Sequence, residues 1–174
     1  AFVIGAYCPE LPDFYIVECY KQTKMIPAQI AEKIKELDSQ YDFTIMVADT
    51  GGLGKSIVEE FRYRYELPVR AAEKRNKASY IELMNSDLHC GFIKVFEGCE
   101  ILDEWDLLQW DEDRKKEDSR FENHLADACL YAWRESKHYT YREKAIEPRQ
   151  GTPEYYSALE DKIWSAKADA IDKE

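Results

Sequence analysis

The chain has 174 residues, 45% of them hydrophobic and 13% aromatic, which is enough for one enclosed core and too few for two comfortable domains. No run reaches the roughly 18 uncharged apolar residues that span a bilayer, and no basic segment with a small-residue cleavage site opens the chain, so neither a membrane partner nor a targeting leader is expected. A formal charge of −11 argues against a broad basic surface that grips DNA by phosphate neutralisation, unless the acids are local. Asp103–Asp118 and Glu154–Glu174 do hold many of them, whereas Lys55, Arg62, Arg64, Arg70, Lys74, Arg75 and Lys77 form a basic stretch in the middle.

Ala1–Tyr7 and Phe14–Tyr20 are rich in β-branched and aromatic residues and flank CPELPD, which predicts an antiparallel hairpin. Ile30, Ile34 and Leu37 recur at helical spacing after Pro27, a residue suited to a first helical turn. Phe43–Ala48 is almost continuously apolar and predicts a strand buried on both faces, stopping at Asp49. Thr50-Gly51-Gly52 turns the chain into a helix over Leu53–Tyr65. Leu67–Ala71 reads as a short strand, Lys77–Leu88 as a helix, Gly91–Phe96 as an edge strand and Cys99–Trp110 as an acidic, aromatic helix.

The tract Asp111–Ser119 is nearly all charged and predicts a loop or a solvated helix. A helix follows over Phe121–Lys137, with Phe121, Leu125, Ala128 and Ala132 as its apolar stripe and Asp118 or Ser119 as its cap. We place one core domain at residues 1–138 and a loosely attached, partly helical tail at 139–174. The order of elements indicates an α/β fold: a mixed sheet, antiparallel hairpin plus parallel strands, with helices on both faces. Cys8, Cys19, Cys90, Cys99 and Cys129 are odd in number and irregularly spaced, which spells neither a disulfide framework nor a zinc motif. Five buried, reduced thiols in a reducing cytoplasm are expected.

Asp49 stands where a buried strand ends and a glycine turn opens, the place where open α/β sheets put their ligands. Local turn chemistry, with the carboxylate bonding nearby amides, is an equal reading. Gly54-Lys55-Ser56 ends like a phosphate-binding loop, but that motif needs a glycine where Asp49 stands, and a carboxylate there would repel phosphates. Asp127 lies in NHLADAC with His124 three residues earlier. At about 100° per residue both stand off the apolar stripe, so Asp127 reads either as an exposed acid or, with His124, as a ligand pair for a divalent metal. An Asp at a strand's end combined with His-x-x-Asp on a late helix is how two-metal phosphodiester sites are built, although such sites need three or more carboxylates.

Three segments carry a resemblance over Ala1 to about Ser136: VADTGGLGK (Val47–Lys55), LPVRAAEKRNKASYIELMNSDL (Leu67–Leu88) and HLADACLYAWR (His124–Arg134). Together they resemble the C-terminal nuclease domain of the large terminase subunits of tailed bacteriophages. That resemblance implies an RNase H-like fold and cleavage of concatemeric double-stranded DNA in the cytoplasm of an infected host cell. It implies Mg2+ or Mn2+ as cofactor, and the terminase ATPase domain, portal and small terminase subunit as partners. It makes Asp49 the second acid of the metal cluster, Asp127 the last and His124 a neighbour of the metal. It also places Lys74 and Lys77, with Lys55, near the DNA backbone, solvated lysines being the other reading.

In the family a first strand ending in an essential Asp precedes the hairpin. Either Ala1–Tyr7 corresponds to the second strand, or it is the first, with Tyr7 or Cys8 where the acid belongs. On both readings the first carboxylate is absent, with Glu18 the nearest substitute, and weak metal binding and little cleavage are expected. Two alternatives stand beside the terminase nuclease: another RNase H-like resolvase or integrase, and a non-catalytic docking domain binding a motor partner through Trp105, Trp110 and the acidic tract.

Overall fold

The structure is a computed structural model describing residues 1–53, 55–113, 116–142 and 148–171. Gly54 of the glycine–lysine–serine triplet, two positions of the charged tract and parts of the tail lie outside the described residues. The elements in order are β1 (Phe2–Tyr7), β2 (Phe14–Tyr20), α1 (Pro27–Tyr41), β3 (Val47–Ala48), α2 (Thr50–Leu53), α3 (Lys55–Arg64) and β4 (Arg70–Ala71). They continue with α4 (Lys77–His89), β5 (Ile93–Val95), α5 (Glu100–Leu107), α6 (His124–Ser136), a 3-10 turn (His138–Thr140) and α7 (Pro153–Ile171). Two compact units result, Ala1–Tyr141 and Arg142–Glu174. In the second, Thr152 opens α7 by accepting the Tyr155 N–H on its hydroxyl at 3.3 Å.

The hairpin forms where the alternation predicts it. Phe2 pairs with Tyr20 and Tyr7 with Phe14, and the register slips between Ile4 and Gly5, where Val17 is the extra residue on β2. The bulge lets Phe14, Ile16 and Cys19 share one buried face although 16 and 19 are three apart. Gly5 is needed there, because a Cβ would sit 2.3 Å from the Phe14 ring. β5 adds to β2 in parallel at the edge of a three-stranded sheet ordered β1-β2-β5.

Helices α4, α5 and α6 supply Met84, Ile101, Leu125, Cys129, Leu130 and Trp133 to that buried face. On the other face, the Tyr41 hydroxyl at the end of α1 donates to Glu18 at 2.7 Å. A second cluster joins Ala31 of α1 and Phe61 of α3 to Leu67 and Val69 beside β4.

β3 and β4 form a separate parallel pair, Val47 with Arg70 and Ala48 with Ala71, so the strands expected in one sheet fall in two. Phe43–Ala48 does not become a doubly buried strand: only its last two residues are ladder, and Val47 and Ala48 stay half-buried. The reason is a trough of about 900 Å³. It is lined by every residue of Ala1–Tyr7 along one side and every residue of Asp42–Asp49 along the other, with Ala128, Tyr131 and Ala132 of α6 also lining it. A cavity that touches consecutive residues of a strand faces its edge and not one of its sides. β1 and β3 therefore turn unpaired edges toward each other across apolar walls.

Several expectations are corrected. Of the two readings of the charged tract, its described residues take the loop, as a short antiparallel excursion: Trp110 bridges to Glu117, the Asp111 N–H donates to the Lys116 carbonyl at 2.9 Å and the Asp118 N–H to the Gln109 carbonyl at 2.8 Å. α6 starts at His124 with Asn123 as its cap residue, so Asp118, Ser119 and Phe121 precede it. Its buried face is Leu125, Ala126, Cys129, Leu130, Tyr131 and Trp133, because the helix is covered on two sides, and Ala128 and Ala132 are only half-buried at the trough. The Cys19 and Cys99 sulfurs meet in the core, a pairing that spacing could not reveal because the fold brings together residues 80 apart. Of the remaining thiols Cys129 is buried, Cys8 half-buried and Cys90 exposed at the end of α4.

Candidate active site

Asp49 follows β3 directly, and its Oδ1 accepts the Gly51 N–H at 2.6 Å, so the turn chemistry anticipated for it is present. The same carboxylate pairs with the Lys74 ammonium. Gly51 makes room for that pair: a Cβ there would lie 2.6 Å from Lys74 Nζ and 3.1 Å from Asp49 Oδ1.

Asp127 is not an ordinary exposed acid. It stands in the first turn of α6 with its side chain 21% accessible, and Lys77 Nζ closes on its Oδ1 at 2.5 Å. Burial raises its pKa above the ordinary 3.8; Lys77 opposes the shift, and the charges of Glu117 and Asp49 reinforce it. The charges of Glu117 and Asp49 therefore both reach Asp127. Burial works against the charge on Lys77, but its bonds to Asp127 and Glu117 outweigh that and raise its pKa. Tyr131, one turn along α6, is raised by burial first and then by Asp127, Asp49 and Glu117.

The sequence-derived residues are partly united. Asp49, Asp127, Lys74 and Lys77 come together as two carboxylate–ammonium pairs. His124 is the first residue of α6, exposed, and lines the same trough as Asp49 and Asp127. Lys55 stands exposed at the start of α3, outside the cluster. Glu18 is committed to Tyr41 and does not replace a cluster acid. The basic stretch is also largely spent internally: Arg64 pairs with Glu60, Arg70 with Glu135, and Arg62 donates to the Val69 carbonyl.

Three contributors escape sequence reasoning. Glu117 reaches Lys77 and accepts from Asn123 Nδ2 at 3.1 Å, from a tract legible only as charged. Arg134 donates to the carbonyls of Glu73 at 3.1 Å and Arg75 at 2.8 Å, with its guanidinium 3.7 Å from the Tyr80 ring centre, and so pins the loop that carries Lys74. Its seven-residue spacing from Asp127 is the one signal that places both on the same face of α6. Glu104, 4% exposed, accepts the Ala126 N–H at 2.8 Å and anchors the start of α6.

Carboxylate oxygens suit hard divalent cations, and Asp49 and Asp127 each already face an ammonium. Among the described residues no three His, Cys, Asp or Glu side chains converge as a metal-binding group. No helix among them is long and apolar enough to cross a membrane.

A family model described as Terminase RNaseH-like domain matches residues 2–136, and the chain belongs to that family. No curated protein and no solved structure matches it. The family supports a terminase nuclease-type role for the domain.

Proposed function

We propose that the domain is the metal-dependent endonuclease of a DNA-packaging terminase, cutting concatemeric double-stranded DNA in the cytoplasm of an infected host cell. What supports this reading is membership of the terminase RNase H-like family over residues 2–136, with Asp49 and Asp127, 78 positions apart, lining one trough. Mg2+ or Mn2+, when bound, would activate water and stabilise the leaving oxygen of the phosphodiester. Asp49 and Asp127 would hold it. His124, exposed at the first turn of α6 and lining the trough, is proposed to accept or return a proton there. Lys74 and Lys77 meet backbone phosphates, and Lys55 contributes only from outside the cluster.

The third carboxylate is proposed to arrive on a strand seated in the trough. A strand antiparallel to β1 and parallel to β3 would run toward Ala1 and toward Asp49, delivering its last residue to the cluster. We also retain the division into a nuclease domain at 1–138 and a tail at 139–174. The terminase ATPase domain, portal and small terminase subunit are the proposed partners.

A docking role through Trp105 and Trp110 is less favoured. Trp105 packs against the main core, and Trp110 is half-buried beside Phe121. The direct test is plasmid nicking with Mn2+ by a chain extended with a strand ending in Asp. Asp49→Asn or Asp127→Asn is expected to abolish nicking in that chain without unfolding it; retained cleavage rejects the assignment.

A further inference from the structure

Both site carboxylates already carry a cation of the protein's own. Lys74 lies on Asp49, and Lys77 lies between Asp127 and Glu117. The two lysines belong to one short strap, which leaves β4 at Ala71 and enters α4 at Lys77, and Arg134 holds it by the Glu73 and Arg75 carbonyls. The strap is fixed while the ammonium ends hang on flexible stems.

Lys77 is badly placed for helix stability. It opens α4, whose first turn holds no acid and whose cap residue Asn76 is left-handed at φ 56°, so a positive charge sits on the positive end of the helix. It is also half-desolvated. Only the two carboxylates make that position favourable. If it leaves them, Glu117 keeps the Asn123 amide, whereas Asp127 is left with charge and little solvent. That is the condition under which a divalent ion would bind most tightly. A metal ion and these ammoniums cannot lie on the same oxygens, and phosphates compete for the ammoniums.

Building on the nuclease reading, we propose that Lys74 and Lys77 are resident counter-cations of Asp49 and Asp127, and that DNA phosphates, by drawing them off, make divalent-metal binding depend on DNA. Free protein is then a poor metal binder, and the site loads where substrate lies. By linkage the metal must tighten DNA by the same factor.

Mn2+ binding is measured by titration calorimetry and by the electron-spin signal of free Mn2+, with and without a short phosphorothioate duplex that resists cleavage. The chain as it stands is expected to gain about tenfold in Mn2+ affinity with duplex. K74Q/K77Q is expected to bind Mn2+ without duplex about as tightly as wild type does with it, and to gain less than about twofold from adding it. Because Lys77 is half-buried, K77M with K74Q provides an apolar replacement, and circular dichroism checks the fold of each. A folded double variant whose Mn2+ affinity without duplex equals that of wild type overturns the proposal, as does wild type that binds Mn2+ and duplex independently. A chain extended with the strand ending in Asp that binds neither overturns the nuclease reading itself.

Discussion

Glu104 Oε1 accepts the amide hydrogen of Ala126 at 2.8 Å, from a side chain that is 4% exposed and 22 positions away. An acid at the start of a helix satisfies one of its unpaired amides and opposes its positive end. Lys21 Nζ, 3.4 Å from Glu104 Oε2, offsets part of the burial penalty. Because Ala126 precedes Asp127, this bond fixes where the site acid begins. Glu104→Ala is expected to lower stability by about 2 kcal/mol in urea denaturation. An unchanged midpoint would show that solvent replaces the carboxylate at no loss.

Asp127 should weigh differently on stability and on function. Its pKa in the folded protein is raised by burial, so the folded state holds its proton more tightly than the unfolded chain does. The sign follows: stability falls as pH rises from the ordinary carboxylate value of 3.8 through the raised value, and Asp127→Asn escapes that loss. The variant is expected to melt no lower than wild type above that window, and its advantage should shrink as pH drops through it. Thermal melts across the acidic range check this; a variant less stable at neutral pH would show that the pair with Lys77 outweighs burial.

Gly51→Ala tests the room left for Lys74. The added Cβ meets the end of a flexible side chain, so the fold should hold, with a stability change within about 1 kcal/mol, while Lys74 is pushed from Asp49. Mn2+ affinity without DNA is expected to shift toward that of Lys74→Gln. Identical binding to wild type would show that Lys74 finds another route to the carboxylate.

The trough predicts an exchange pattern. Alternate amides of β1 bond to β2, and the rest face the cavity. Hydrogen exchange by NMR should therefore alternate fast and slow along Phe2–Tyr7. An added strand that fills the trough should slow the fast set; uniform protection in this chain would mean that the β1 edge is already covered.

The sequence made the polar landmarks readable and left their company hidden. Asp49 was visible because a six-residue apolar run stops at a turn, and Asp127 because HLADAC joins it to His124. Both rest on local pattern. Glu117 and Arg134 act across 40 and about 60 positions, and no periodicity reports such partners. The hairpin could be drawn from alternation, but the extent of β3 could not. A strand's ladder depends on both neighbours, and on one side of β3 there is a trough.

Helix α6 carries the acid and the pin on one rod. Asp127 and Arg134 are seven residues apart, two turns or about 10 Å along the axis, and a rotation of nearly two full circles returns them to the same side. The helix is thus a ruler: it sets how far the loop bearing Lys74 is held from the carboxylate that Lys77 serves. One residue inserted between them would swing Arg134 by about 100° and move it about 1.5 Å further off, separating the two functions while leaving every side chain of the cluster in the sequence.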